Sequence, residues 1–224
     1  DIVGQTQSGG VEVFRISVDA NSGVVALDQS RSVRHGNPAL ENEPVSLNLN
    51  TISLTATSED GDGDQASATR TIDSAFVFRD DAPTITVSAS SIPTLTVDES
   101  NFGVDASTSF LALFTPDFGA DGFKDSDNNN IQDADAVSYV LGINAGASGL
   151  VDTLTNEAVT LSVSGGVVLG TSATGGEVFR ISVNADSGLI TLNQSRAVVH
   201  GDGNATNEPV SLMAANLITL TATV

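Results

Sequence analysis

Residues 12–31 read EVFRISVDANSGVVALDQSR, and nearly the same stretch returns at residues 177–196 as EVFRISVNADSGLITLNQSR. When residues 12–47 are aligned with residues 177–212, 23 of 36 positions are identical. In each copy, apolar residues alternate with polar ones, which is the period of a half-buried strand. A turn of the DANSG type and a second apolar run follow. The stretch therefore predicts a β-hairpin, and its return predicts a tandem array with a unit of about 165 residues.

Short runs rich in Val, Ile and Thr continue on both sides of the hairpins and favour strands over helices. Residues 110–114 fit either a short helix or an edge strand. Many short strands with turn signals about every 8 to 12 residues are typical of an antiparallel β-sandwich. We therefore expect an all-β protein of tandem sandwiches that form a rod. The further strands are expected at residues 45–49, 52–57, 66–72, 75–78, 84–87, 94–97, 136–141, 158–163, 167–170, 210–213 and 217–224.

The joint between two repeats is expected in FVFRDDAPTITV, residues 76–87. Pro83 lacks a backbone N–H and restricts the residue before it to extended geometry, which indicates a short and stiff connection. Residues 1–82 are then the C-terminal part of one repeat, and residues 83–224 are the next repeat without its last strands. Since neither copy is complete, a neighbouring molecule could supply the missing strands.

The charge disfavours two kinds of partner. The chain has 28 acidic and 8 basic residues, for a formal net charge of −20. That sign disfavours binding to nucleic acid and to anionic lipid. No stretch approaches the roughly 18 apolar residues of a membrane span, so no membrane insertion is expected. Cysteine is absent, which excludes disulfides, thiol catalysis and thiolate metal sites.

The motifs of common enzymes are missing as well. The chain has no G-x-S-x-G nucleophile elbow and no glycine-rich loop followed by Lys. Paired carboxylates could serve a glycosidase, but with one Tyr and no Trp the chain offers few aromatic platforms for sugar rings. We therefore predict that the protein is not an enzyme.

The acidic residues are unevenly distributed, because ten of the 28 lie in residues 59–64, 80–81 and 125–135. Carboxylates this close together repel one another unless a cation lies among them. The clusters therefore predict bound cations, and a solvated acidic surface is the alternative.

The first cluster, SEDGDGD, alternates Asp with Gly, which lets several carboxylates of one loop turn inward. Calcium prefers six to eight oxygen ligands at about 2.3 to 2.6 Å. A hairpin would return the chain toward two further acidic pairs near the joint, so we expect one calcium site there. A simple hairpin turn is the alternative interpretation. The candidate ligands are Glu59, Asp60, Asp62, Asp64, Asp80, Asp81, Asp98 and Glu99.

The second cluster, DSDNNNIQDAD at residues 125–135, has the spacing of a calcium loop. Asp125, Asp127, Asn129, Ile131 and Asp133 occupy positions 1, 3, 5, 7 and 9, with the backbone carbonyl of the isoleucine as a ligand. The spacing is similar to the loops of thrombospondin type 3 repeats. A polar mobile loop is the alternative interpretation.

Two positions of this loop depart from the usual pattern. Position 6 is Asn130, which is tolerable because Asn adopts left-handed backbone geometry. Position 12 is Ala136 where a bidentate carboxylate is usual, and Asp135 or Asp121 could replace it.

A histidine and a set of Glu and Arg side chains recur in both copies. His35 and His200 are the only histidines, and we expect each to be a hydrogen-bonding residue at a strand end. Arg15 and Arg180 recur in strands beside Glu12 and Glu177, and so do Arg31 and Arg196. We expect these to be structural pairs across strands.

Four segments together resemble repeats of giant bacterial repeats-in-toxin (RTX) adhesins: TATSEDGDGDQASAT, FVFRDDAPTITVSAS, TLTVDES and VVHGDGNATNEPVSL. In that family, many immunoglobulin- or cadherin-like "extender" repeats stand in series. The resemblance implies calcium at repeat junctions, secretion by a type I system and a location on the bacterial cell surface. It implies a calcium-stiffened structural repeat that holds adhesive domains away from the cell, with the neighbouring repeats as its partners.

Two other functions stay open at this point. The chain could be a calcium-dependent module that binds glycans or another surface, for which an exposed aromatic residue near the 125–135 loop, such as Phe118, Phe123 or Tyr139, would be needed. Alternatively, incomplete repeats could complete one another by strand exchange and form a filament.

Overall fold

The chain folds almost entirely into antiparallel strands, which confirms the all-β class. A computed structural model describes residues 1–37, 40, 42–201 and 207–224. Residues 202–206, which belong to the quoted segment VVHGDGNATNEPVSL, lie outside the described residues. Within the described ranges, no helix is long and apolar enough to cross a membrane.

The chain divides into two units. Unit 1 comprises residues 1–83 and 118–122, and unit 2 comprises residues 84–117 and 123–224. The first division follows Pro83, inside the segment where the joint is expected. The short segment 118–122 lies far along the chain from the rest of unit 1 but belongs to it by its contacts.

Unit 1 contains a three-stranded sheet, a hairpin and a two-stranded ladder. The sheet has the order β1-β2-β3, β5 pairs with β6, and β4 pairs with β7. Ile16, Ile52 and Phe76 form its buried core, and the ring of Phe14 lies 5.0 Å from that of Phe78. The strands are Ile2–Gln5 (β1), Glu12–Val18 (β2), Val25–Gln29 (β3), Pro44–Ser46 (β4), Ser53–Glu59 (β5), Gln65–Thr71 (β6) and Val77–Arg79 (β7).

Unit 2 contains a six-stranded sheet of order β12-β13-β14-β15-β16-β9, together with the pairs β11-β17 and β8-β10. Its core is larger and includes Val159, Val168 and Val178, which are at most 1 % exposed. The strands are Thr84–Val87 (β8), Ala106–Ser109 (β9), Phe114–Asp117 (β10), Ser138–Ile143 (β11), Ala147–Val151 (β12), Ala158–Ser164 (β13), Val167–Ser172 (β14), Gly176–Val183 (β15), Leu189–Gln194 (β16) and Ile218–Thr223 (β17).

The two predicted hairpins are present and share one detailed geometry. β2 pairs with β3 as β15 pairs with β16, with equivalent registers. Before each hairpin, the preceding strand pairs across a β-bulge, between Gly4 and Gln5 in unit 1 and between Gly170 and Thr171 in unit 2. The sequence repeat is therefore also a structural repeat down to a single inserted residue.

The expectation of charge pairs across strands is wrong. Glu12 pairs with Arg15, and Glu177 with Arg180, within one strand. Residues three apart in a regular strand point to opposite faces. The extra residue of the bulge reverses that alternation, so both side chains of each pair reach the same face.

Two predicted strands do not form. Residues 94–97 are in no strand, although Leu95 packs against the core of unit 2. Residues 210–213 also form none, whereas the equivalent β4 of unit 1 does. β4 is a strand because β7 pairs with it, and the described residues of unit 2 provide no equivalent of β7.

Other elements were missed or only partly anticipated. Residues 110–114 combine both expectations, since a 3₁₀ turn at Leu111–Leu113 leads directly into β10. β1, β9 and β12 were not predicted, because they are short and carry Gly or Ser instead of a clear apolar alternation.

Candidate metal sites

The loop at residues 125–133 brings three predicted ligands together. Carboxylate oxygens of Asp125, Asp127 and Asp133 all lie within 4.8 Å of one another. The backbone curls around them, with Asn128 and Asn130 in the left-handed region at φ of 57° and 61°. Asn130, at position 6 of the loop, thus adopts the left-handed backbone conformation expected there.

Internal hydrogen bonds hold this loop in its curled form. Asp125 accepts the backbone N–H groups of Asn129 (3.0 Å) and Asn130 (2.9 Å) through its two carboxylate oxygens. The side-chain oxygen of Asn129 accepts the N–H of Ile131 at 2.7 Å. The predicted ligands at positions 1, 5 and 7 are therefore ordered by the loop itself.

Asp133 closes the loop from its other end. Its carboxylate accepts the hydroxyl and the backbone N–H of Ser126, at 2.6 and 3.0 Å. These two hydrogen bonds, with the charge of Lys124, hold the pKa of Asp133 below its usual value. Asp133 is therefore ionised at neutral pH, as a cation ligand needs to be.

Neither residue proposed for position 12 joins this group. Asp135 instead pairs with the ammonium group of Lys124, and this contact raises the pKa of the lysine. Asp121 belongs to another carboxylate group, in unit 1.

The turn between β5 and β6 forms a second group. Oxygens of Asp60, Asp62 and Asp64 lie within 4.8 Å of one another, and all three residues are exposed. Asp60 accepts the backbone N–H of Asp64 at 2.9 Å, and Gly63 has a φ of 97°. The turn is thus both the hairpin loop of the alternative interpretation and a carboxylate cluster. Glu59 lies outside the group, in β5, and accepts the side-chain amide of Gln65 at 2.6 Å.

A third group joins Asp80 and Asp81 to Asp121, again with oxygens within 4.8 Å. The carboxylate of Asp81 accepts the backbone N–H of Ala120 at 2.8 Å. Gly119 has a φ of 68°, and a Cβ atom there would lie 2.3 Å from a carboxylate oxygen of Asp81. Only glycine therefore allows this close approach. Arg34 and His35 line the same surface depression as Asp80 and Asp121.

Asp98 and Glu99 have structural contacts within unit 2. Asp98 accepts the N–H of Ser100 at 2.8 Å, and hydrogen bonding to the side chain and then to the backbone of Ser100 lowers the pKa of Asp98. Glu99 accepts the side-chain amide of Gln194 at 3.0 Å and the backbone N–H of Val198 at 2.7 Å. Neither residue belongs to any of the three carboxylate groups among the described residues.

Asp152 is a buried carboxylate for which the sequence provides no local signal. Its side chain has no exposed surface, and it accepts the hydroxyls of Ser172 and Thr155 at 2.7 and 2.8 Å. A guanidinium nitrogen of Arg196 lies 2.8 Å away. Burial alone would raise its pKa, but these hydrogen bonds, the N–H of Leu154 and the arginine charge lower the pKa to about 2. The site is a structural ion pair, because every oxygen faces an internal partner.

Asp73 plays a comparable part in unit 1 and is 4 % exposed. Its carboxylate accepts the backbone N–H groups of Ile52, Asn50 and Thr51, and the N–H of Ile52 contributes most to lowering its pKa. It therefore fixes the turn that leads into β5.

Both histidines lie outside the strands, six residues after the end of β3 and of β16, so the expectation that they are strand-end residues is wrong. Nε2 of His200 lies 3.4 Å from a carboxylate oxygen of Glu99. Nδ1 of each histidine is buried, and the described residues offer it no hydrogen-bond partner. Of the aromatic residues suggested for a glycan site, Tyr139 is 3 % exposed and Phe123 is 39 % exposed.

The fold and these groups define the protein class: an acidic, all-β protein with an internal structural repeat and three carboxylate clusters. Residues 1–73 and 94–224 match the model of a family described as "Domain of unknown function (DUF5801)". These ranges cover well over half of the chain, so the protein belongs to that family. No curated protein and no solved structure matches it.

Proposed function

We propose that this chain is a calcium-stiffened structural repeat of a bacterial cell-surface adhesin, which holds adhesive domains away from the cell. The observation that carries the proposal is the convergence of Asp125, Asp127 and Asp133 within 4.8 Å in a loop with calcium-ligand spacing. The tandem sandwich architecture, the rod form and the type I secreted location belong to the same proposal. Their support is the internal repeat and the resemblance to RTX adhesin repeats.

The donor set fits calcium better than a transition metal. Each group offers carboxylate oxygens without nitrogen or sulfur, and the loop at 125–133 adds the side-chain oxygen of Asn129 and the carbonyl of Ile131. A bound calcium ion would offset the repulsion between these carboxylates. We assign the ligands at 60–64 and at Asp80, Asp81 and Asp121 to further ions.

The proposed mechanism is mechanical. With a net charge of −20, carboxylates held this close repel one another and favour looser loop conformations. Neutralisation holds the loops in one conformation and stabilises the folded chain by mass action. Asp80 and Asp81 lie three and two residues before Pro83, so a rigid group there would limit bending of the connecting segment.

Calorimetric titration of the chain with calcium tests the proposal directly. We expect up to one site per carboxylate group, a higher melting temperature in calcium, and a narrower distribution of molecular dimensions by X-ray scattering. Removal of calcium with a chelator should abolish both the rise in melting temperature and the narrower distribution of dimensions.

Matched variants assign the sites. Asp127→Asn together with Asp133→Asn should remove one site, whereas Asp186→Asn changes an exposed aspartate outside the groups and should remove none. Melting and scattering curves that are identical with calcium and with chelator would rule the proposal out. Calcium-dependent retention on a glycan array without any change in stiffness would favour the glycan-binding alternative, for which Phe123 is the exposed aromatic residue.

A further inference from the structure

We propose that Lys124 is a built-in counter-cation of the loop at residues 125–133. Its charge keeps the ion-free loop closed and raises the calcium concentration that is needed to fill it. The effect on calcium rests on the function proposed above, whereas the effect on the ion-free loop does not.

The position of this lysine in the sequence is unusual. Lys124 is the only lysine of the chain, and it directly precedes the first predicted ligand, Asp125. Residues 124–135 contain four aspartates and one lysine, which gives the segment a formal charge of −3. The single ammonium group therefore lies where the chain crowds its carboxylates.

The lysine joins the two ends of the loop. Its backbone carbonyl accepts the N–H of Asp133 at 2.8 Å, and its ammonium group pairs with the carboxylate of Asp135. Asp135 lies in a 3₁₀ turn whose last residue, Ala136, is buried. The ion pair therefore fixes the start of the loop to a segment that is itself held by burial.

The ammonium charge also acts on a predicted ligand. The pKa of Lys124 is raised chiefly by its hydrogen bond to Asp135, and the charge of Asp133 adds to the rise. The attraction between Lys124 and Asp133 offsets part of the repulsion among the carboxylates when no ion is bound. Without the lysine, the ion-free loop should open more often.

The same charge opposes an incoming cation. The side chains of Lys124 and Asp135 are 50 % and 56 % exposed, so water screens the ammonium group and its effect is modest. A unit positive charge near a divalent ion in such surroundings weakens binding by roughly threefold to tenfold. Because the Coulomb energy is proportional to the charge of the ion, a trivalent ion is disfavoured more strongly.

Hydrogen exchange at the amides of residues 129–131, followed across a calcium titration of the full chain, reports on this loop alone. We expect Lys124→Gln to raise the calcium affinity by about threefold to tenfold. For terbium, a trivalent ion, the gain in the logarithm of the affinity should be about 1.5 times as large. Lys124→Arg keeps the charge and should change neither affinity. Arg180→Gln removes one positive charge from an exposed pair with Glu177 outside the loop and should also change neither.

The ion-free loop is tested in chelator. Exchange at residues 129–131 should be faster in Lys124→Gln than in the original chain, in Lys124→Arg and in Arg180→Gln. Exchange at Val159, in the core of unit 2, should stay the same, which separates opening of the loop from a loss of fold.

The two measurements separate the lysine from the calcium site. If no variant binds calcium, the proposed function fails, and the exchange in chelator still decides the role of Lys124. Unchanged exchange in chelator would overturn the inference. So would a calcium affinity of Lys124→Gln that is equal to or below that of the original chain, or an equal gain in Arg180→Gln.

Discussion

Buried carboxylates organise the turns of this protein at the scale of single residues. Asp73 and Asp152 are almost fully buried, and each accepts several N–H or O–H groups. The aspartates of the three groups also accept some internal N–H groups, but they are less buried and have other carboxylates as close neighbours. Asp73 and Asp152 therefore stabilise the fold without a cation, whereas we propose that the three groups bind one.

The pH dependence of stability should report on Asp152. Its pKa is lowered from 3.8 to about 2 in the folded chain, so its contribution is fully present above pH 3.8 and is lost as the pH falls toward 2. We expect the melting temperature of the original chain to fall more steeply across this window than that of an Asp152→Asn variant. Melting curves followed by circular dichroism measure the slope, and parallel slopes would contradict the assignment.

The close approach at Gly119 provides a second test at this scale. Alanine at Gly119 or at Gly122 costs about 1 to 2 kcal/mol through its positive φ. Only at Gly119 would the new methyl group also displace the carboxylate of Asp81 from the N–H of Ala120. Hydrogen exchange at Ala120 should therefore accelerate in Gly119→Ala and much less in Gly122→Ala, where no atom lies within 4 Å of the new Cβ. Equal acceleration would indicate that backbone strain alone is responsible.

At the scale of elements, the repeat conserves a glycine–phenylalanine contact beside the bulge. A Cβ atom on Gly4 would lie 2.1 Å from the ring of Phe14, and one on Gly170 would lie 2.3 Å from the ring of Phe179. Each ring thus covers the glycine of the neighbouring strand. The contact explains why glycine interrupts β1 and β14 at equivalent positions.

Substitution in unit 2 tests this packing. Gly170→Ala should lower the free energy of unfolding by about 1 to 3 kcal/mol, because the ring of Phe179 has to move within a packed core. The same change in a Phe179→Leu background should cost clearly less, since the smaller side chain leaves room for the methyl group. Chemical denaturation of the four variants gives the coupling energy, and additive costs would refute the contact as the cause.

At the scale of the whole molecule, excess negative charge is the main electrostatic feature. The net charge of −20 opposes the folded state through self-repulsion that falls as ions screen it. Screening is general, whereas cation binding at the carboxylate groups is specific. The two effects can therefore be separated by the choice of salt.

Raising sodium chloride from about 10 mM to about 500 mM shortens the Debye length from roughly 30 Å to below 8 Å. We expect this change to raise the melting temperature of the calcium-free chain. Millimolar calcium should raise it further than magnesium at equal ionic strength, because the groups offer flexible oxygen donors. Equal effects of calcium and magnesium on the melting temperature would indicate that the clusters are solvated acidic surface and not calcium sites.

Most of the features that the sequence predicted correctly depend on residues that are close together along the chain. The all-β class, both hairpins and the groupings of Asp60, Asp62 and Asp64 and of Asp125, Asp127 and Asp133 follow from two-residue alternation and short loops. In each case the residues that determine the structure lie within a few positions of one another.

Only the tertiary structure decided which distant segments meet. It joined Asp121 to Asp80 and Asp81, directed Glu99 to Gln194 and Val198, and paired Asp152 with Arg196. It also decided that residues 44–46 form a strand while their equivalents in unit 2 do not. A strand or a carboxylate is held in place only when its hydrogen-bond partner is present. In the pairs just named, that partner lies about 30 to 100 residues away, beyond the reach of any local pattern.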